Sequence, residues 1–355
     1  MYGEHDYEVL TSSREGLQRQ EDHFGSKQRH DTDGYNIIPF GYCTYRNRSD
    51  DGKFAFNINT ISEKAIVSKF YPVFRFTNAN STFMAEFLNS SPRVKKKLSV
   101  LAVGTSQVVL SFEALKAAKF DLPCKDEQDK IAAFLECLNT RIENQRTLVV
   151  ALKKYKRGVV DGIFSRKLNF SYPQTWAELE ISELFMPISD KGYSDKIVLT
   201  IVQGEGTMPR DSVDRRIAYD KSTISSYKRV LPNDFILHLR SFEGGLEIVN
   251  EEGVVSPAYT ILRARNEIIP LFFYTFFRSY WFINSKLRIS VEGIRDGKSI
   301  NMNTFWHIKV PVPSIEEQRH ISALISSIDN RIKIAEFEYK RLLQIRVGLM
   351  QQLFI

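Results

Sequence analysis

The chain has 355 residues, 43% of them hydrophobic and 12% aromatic, enough for two or three domains that each bury a core. A net charge of +7 and a pI near 9.1 suit a polyanionic partner, but no segment carries more than +2, so charge alone does not single out nucleic acid. Cys43, Cys124 and Cys137 show neither CxxC nor metal-ligand spacing, which fits a cytoplasmic protein. No signal peptide or membrane span is read; the apolar run Leu271–Ile283 is short and interrupted by Arg278.

Residues 1–121 read as a first mixed α/β segment. A polar stretch holds Arg14, Gln18, Arg19, Gln20, Lys27, Arg29 and His30. Arg and Gln are the side chains that read guanine and adenine edges through two hydrogen bonds, although a solvated loop has the same composition. Arg48 and Gln107 join them as candidate DNA contacts, and a helix is expected over 82–98. Residues 122–165 then form one long helix that starts after Pro123. Its seam steps by four and three through Ile131, Leu135, Leu138, Ile142 and Leu152, the apolar period of a coiled coil.

Residues 166–311 form a second mixed segment, opened by Trp176-Ala-Glu-Leu-Glu-Ile-Ser-Glu-Leu184. Strands are expected at 196–202, 234–239 and 259–262, with turn signals at Gly204, Pro209, Asn233, Gly244-Gly245 and Gly253 and a helix over 270–288. Its basic cluster is Arg210, Arg215, Arg216 and Lys221, followed by Lys228, Arg229 and Arg240; Arg295 and Lys298 complete the candidate DNA contacts. Residues 312–355 form the second long helix. It opens with Ser314-x-x-Glu317, a capping box, and its seam is Ile321, Ile325, Ile328, Ile332 and Leu342.

Residues 122–164 recur at 312–354, displaced by 190 positions without insertion or deletion. Pro123, Glu127-Gln128, Ile131, Arg141-Ile142, Leu152, Gly158 and Phe164 match Pro313, Glu317-Gln318, Ile321, Arg331-Ile332, Leu342, Gly348 and Phe354. The segments between repeat more faintly: Val9-Leu10-Thr11 matches Val198-Leu199-Thr200, Tyr35 matches Tyr227, Arg48 matches Arg240, and Ser68 and Tyr71 match Ser256 and Tyr259. The fold class expected is therefore α+β, with two pseudo-repeated mixed α/β domains separated by two long helices. Both seams carry a cation at one depth, Lys156 and Arg346, and antiparallel pairing keeps those charges apart.

No catalytic constellation is visible. Gly204-Glu-Gly206 lacks a third glycine, there is no phosphate-loop motif and no Asn/Asp-Pro-Pro-aromatic motif for base methylation, and the six histidines show no metal spacing. The chain reads as a binding protein, with no catalytic residue, metal or cofactor of its own.

The two Pro…Glu-Gln…Gly-x-x-x-x-x-Phe helices, the stretch Lys228-Arg-Val-Leu-Pro-Asn-Asp-Phe235 running on to Gly253-Val-Val-Ser-Pro-Ala-Tyr259, and Gly104-Thr-Ser-Gln107 ahead of Leu122-Pro123 together resemble the specificity subunit of type I restriction–modification systems. The resemblance covers nearly the whole chain. It implies target-recognition domains at 1–121 and 166–311, each reading one half of a bipartite sequence in double-stranded DNA, and spacer helices at 122–165 and 312–355. Those helices would dock modification (methyltransferase) subunits that bring S-adenosylmethionine, and restriction (motor–nuclease) subunits that use ATP and Mg would join them. About 33 residues of seam at about 1.5 Å each span roughly 50 Å, on the order of one and a half DNA turns. The first segment has no counterpart of Trp176–Leu184, as if some twenty residues were missing, which leaves its DNA binding open. Two other readings stand: a non-enzymatic coiled-coil scaffold whose globular parts bind proteins, and a fused single-chain restriction enzyme, for which the methyltransferase motif is lacking.

Overall fold

The structure, a computed structural model, describes residues 7–25, 32–168, 175–213, 221–238, 244–293 and 298–354. Its chain divides into two compact units, Met1–Arg146 with Phe337–Ile355, and Thr147–Glu336. The division falls inside the two long helices, Lys125–Phe164 and Ile315–Leu353, because each half-helix packs on a different globular part.

In the first unit, strand Glu8–Ser13 forms a hairpin with Gly16–Arg19 and runs parallel to Ala65–Val67, which also pairs with Asn36–Ile37. A second sheet has Cys43–Tyr45 at its centre, flanked by Phe56–Ile58 and Val73–Phe74. The second unit repeats this order strand by strand. Leu199–Val202 forms a hairpin with Gly206–Pro209, Val198 bridges Val254 in parallel, and Gly253–Val255 pairs with Lys228–Val230. Phe235–His238 is the central strand there, between Glu247–Ile248 and Tyr259–Ala264, with Phe185–Ile188 beyond. Cys43 faces Ile58 and Phe74; Phe235 faces Ile248 and Leu262. The faint sequence repeat is thus a repeat of register.

Strand alternation assigns the two faces of each central strand. Cys43 and Tyr45 enter a core with Leu88, Val94 and Leu98. Phe235 and Leu237 enter a core dominated by Phe272, Phe273, Phe276 and Phe277, all fully buried. Burial of each such ring contributes roughly 1.5–3 kcal/mol.

Both short helices depart from the expected spans. The one expected over 82–98 is two helices, Ser81–Ser90 and Pro92–Leu101, with Ser91 extended between them (φ −63, ψ 121). Pro92 has no amide to donate and drives its predecessor out of the helical region. The one expected over 270–288 ends at Phe277, where the Arg278 side chain turns to Glu247, and continues as short irregular turns over Phe282–Lys286 and Leu287–Ser290. The Ser279 hydroxyl accepts from the Phe282 amide at that restart (3.1 Å).

The long helices pair antiparallel within each unit. In the first, Ala132 and Leu135 share a cluster with Met350 and Phe354, and Arg346 donates to Asn139 (2.8 Å) and Glu86 (2.8 Å). In the second, Lys156 pairs with Asp329 (2.6 Å) and Lys153 with Glu336 (2.6 Å). The two seam cations therefore meet different anions. Leu135, Ile142, Ile321, Ile325, Ile328, Ile332 and Leu342 are buried, while Ile131, Leu138 and Leu152 are half-buried.

A buried glutamine locks each helix to its unit. Gln128 donates to the Pro123 carbonyl (2.9 Å) and accepts from the Asn80 amide (3.0 Å). Gln318 donates to the Pro313 carbonyl (3.0 Å) and accepts from the Ile269 amide (3.0 Å). Asn80 and Ile269 are the cap residues of corresponding helices. The Glu-Gln motif therefore serves as a clamp. The adjacent glutamates diverge: Glu317 is buried and accepts from the Trp176 indole (2.8 Å), whereas Glu127 is exposed. Ser314 still caps the helix, accepting from the Glu317 amide (3.2 Å).

Gln318→Ala strands a buried amide and a buried carbonyl, and should destabilise the protein by about 1–3 kcal/mol in denaturant unfolding. Ile332→Asp buries an unpaired charge in the seam and should lose several kcal/mol. A wild-type midpoint in either variant would show that the clamp or the seam is not holding the fold.

Candidate nucleic-acid interface

Each unit has a groove lined in part by its first hairpin and by the end of its central strand. In the first unit it encloses about 550 Å³. It is lined by the end of the first hairpin, Thr11–Glu15, by the segment that follows the central strand, with Arg46, Arg48 and Asp50, and by Tyr71. Asn57 anchors the hairpin by donating to the Ser12 hydroxyl and the Ser13 carbonyl (2.8 Å each). Asp51 organises the rim: it accepts from Ser49 (2.9 Å) and the Lys53 amide (3.2 Å) and pairs with Arg14 and with Lys53 (3.5 Å). Partial desolvation pushes its carboxyl up, but Ser49, the Lys53 amide and Arg14 outweigh that and hold it at about 2.

The second unit has the equivalent groove, about 640 Å³, between Thr200–Gln203, Arg210, His238 and Tyr259. Here the hairpin is anchored by Glu247, which occupies the register position of Asn57. Its buried carboxylate accepts from the Gly204 amide (2.9 Å) and the Tyr274 hydroxyl (2.9 Å) and pairs with Arg278. Gly206, at φ +86, turns this hairpin; a Cβ there would lie 2.6 Å from the Ile248 carbonyl oxygen. Desolvation raises the Tyr259 hydroxyl pKa.

The candidate contacts fall unevenly. Arg14 and Arg48 line the first groove, and Gln107 reaches it by donating to Asp50 (3.0 Å). Arg48 lies over the Phe70 ring at 5.3 Å. Gln18 bonds His23 (3.0 Å) at the groove's margin. Arg19 instead pairs with Glu8 (3.2 Å) along the hairpin and lines no groove. Arg210 lines the second groove, and Lys298 is exposed away from it. Lys27, Arg29, Arg215, Arg216, Arg240, Arg295 and the side chain of Lys221 lie outside the described residues. Sequence reasoning missed Arg46, although Arg48 two residues on was a candidate, and also Lys53 and His238; the groove lining and, for Arg46 and His238, the strand register are the signals that find them.

Glu247→Gln keeps the size of the anchor and removes its charge. Amide exchange at Gly204 should accelerate, with a stability loss of about 1–3 kcal/mol. Unchanged Gly204 exchange would mean that Glu247 does not hold the hairpin.

Among the described residues no group of three or more His, Cys, Asp or Glu could hold a metal ion, and no helix is long and apolar enough to cross a membrane. The family model "Type I restriction modification DNA specificity domain" matches residues 3–152 and 173–344. The chain is 24% identical over 224 residues to the specificity subunit of MjaX, an inferred type I restriction enzyme of Methanocaldococcus jannaschii, covering 58% of this chain and 51% of that one. The MjaVIII specificity subunit of the same organism is 24% identical over 215 residues, covering 58% and 47%. The chain thus spans about half the length of the curated relatives it matches. The solved type I restriction–modification S subunit of M. genitalium superposes over 100% of this chain and 89% of its own, with a TM-score of 0.53 and 18% identity. The HsdS subunit of Thermoanaerobacter tengcongensis does so over 92% and 84%, with a TM-score of 0.50 and 17% identity. With two copies of that domain accounting for most of its length, the chain belongs to the type I restriction–modification DNA specificity family.

Proposed function

We propose that the chain is the DNA-reading, non-catalytic specificity subunit of a type I restriction–modification complex. Each unit reads one half of a bipartite double-stranded target, and the paired helices act as the spacer. The observation that carries this reading is one groove built twice, in the same register, with different side chains. Two reading sites of one design and unlike lining are what a two-part asymmetric target requires.

The first unit takes part. The hairpin, the end of the central strand and the tyrosine line both grooves, and Asn57 holds the register place of Glu247. The opening strand of the second unit, Ala177–Glu180, pairs with Lys309–Val312 and lines neither groove.

Exposed apolar side chains on the long helices, among them Phe134, Tyr155, Phe337 and Ile345, support docking of modification subunits there. Those subunits would supply S-adenosylmethionine, and restriction subunits would supply ATP- and Mg-dependent translocation and cleavage. A solved neighbour with a TM-score of 0.55 and 16% identity is described in terms of complex assembly in the type I R-M system. Within the grooves, Arg14, Arg48 and Arg210 are proposed DNA contacts, with Gln107 at the first rim.

Purified chain should neither methylate nor cut DNA. With its modification subunit it should direct methylation to a single bipartite motif, read by methylation mapping. Arg14→Ala should weaken binding to all sequences and lower the salt slope by about one, as loss of one phosphate contact does. Methylation or cleavage by the isolated chain, or no sequence preference in the assembled complex, would overturn the reading.

A further inference from the structure

The strand register fixes one more correspondence. Cys43 and Phe235 hold the same place in their sheets, so the residues three positions on, Arg46 and His238, are equivalent. Alternation sends Cys43 and Tyr45, like Phe235 and Leu237, into the helix-side cores. Residues 44 and 46, like 236 and 238, belong to the other face, and Arg46 and His238 each line their groove.

What surrounds this position is kept between the units. A Ser-x-x-Tyr turn, closed by Tyr71 N–H to Ser68 O (2.8 Å) and Tyr259 N–H to Ser256 O (3.1 Å), places a tyrosine in the lining of each groove. In the second unit the rings of His238 and Tyr259 are 5.3 Å apart. Thr11 and Thr200, equivalent residues of the two hairpins, line the same grooves. A constant frame thus holds a variable residue. Among the described residues, Arg46 is also the one cation of the first groove without a partner. Arg14 and Lys53 pair with Asp51, Arg48 lies over Phe70 and His23 bonds Gln18, whereas Arg46 is exposed and makes no hydrogen bond or ion pair.

We infer that the position at the end of the central strand, Arg46 just past it in the first unit and His238 as its last residue in the second, is where each groove discriminates bases. This rests on the reading that each unit binds one half of a DNA target. A guanidinium offers two parallel donors that match O6 and N7 of guanine; an imidazole, whose two nitrogens point apart, presents one of them at a time to a base edge and makes a different choice. The first half-site is thereby expected to contain a guanine read by Arg46, and the second a base read through a single contact by His238.

The test uses the full chain assembled with its modification subunit, with methylated motifs mapped for the wild type, Arg46→Gln, Arg46→Lys and His238→Ala. Arg46→Gln should reduce preference at one position of one half-site by roughly 5- to 150-fold, or shift it toward adenine, with the other half-site unchanged. His238→Ala should change only the opposite half-site. Arg46→Lys keeps the charge and loses the fork, so it should bind DNA with near wild-type affinity while losing the preference. If Lys restores the wild-type motif, Arg46 contacts phosphate and the inference fails. It fails equally if the variants keep the wild-type motif, or if they lose binding to all sequences alike. A wild-type complex without sequence preference would instead sink the functional reading, and this inference with it.

Discussion

Two buried glutamines set the geometry on which everything else rests. Gln128 and Gln318 each join three things: the carbonyl of the proline that precedes a long helix, the helix itself, and the cap amide of a helix in the globular part. A buried amide left without these partners would be unsatisfied, so the bonds are held tightly. The same side chain thus fixes both where the long helix starts and how its end meets the sheet-bearing core. Antiparallel pairing of the helices then brings Arg346 and Lys156 to different acceptors, and each half-helix is committed to one unit.

With the frame fixed, the grooves can differ at little expense to the fold. The anchor of the hairpin is a neutral amide in one unit and a buried carboxylate in the other, yet both hold the strand end that forms a groove wall. Asn57 needs only a hydroxyl and a carbonyl. Glu247 buries a charge and therefore needs a cation, which Arg278 supplies from the residue that follows the helix Pro270–Phe277.

Much of this was legible in the sequence, and the boundary has physical causes. The long helices follow from a seam kept over several heptads, and the repeat from an unbroken offset of 190 positions. Strands at Phe235–His238 and Tyr259–Ala264 follow from short apolar runs between turn residues. The break at Ser91 is announced by Pro92, but apolar spacing carries across it and hides the stop. The contacts of Glu247 are out of reach, because its partners lie 27 to 43 residues away and only the folded sheet brings them together. Arg46 escapes for another reason: composition does not tell it from its neighbour Arg48, and it is set apart only by the register it shares with His238.

The arginines sort themselves by what their anions would lose. Arg263 forks onto Asp234, whose carboxylate is buried and also accepts from the Leu231 amide (2.8 Å); removal of that arginine would leave a charge in the core, so its role is structural. Arg14 pairs with Asp51 at an exposed rim, and Asp51 keeps Ser49 and the Lys53 amide when Arg14 leaves. Exposed pairs of this kind contribute little to stability and exchange readily for a phosphate. Arg48, resting on an exposed phenylalanine, is similarly free to turn. The first groove therefore combines two cations that can be released to a backbone with one, Arg46, that is already unengaged. On the proposed reading, that combination would separate positioning from choice within a single site, and a chain with only a modest net charge would then need no broad basic surface.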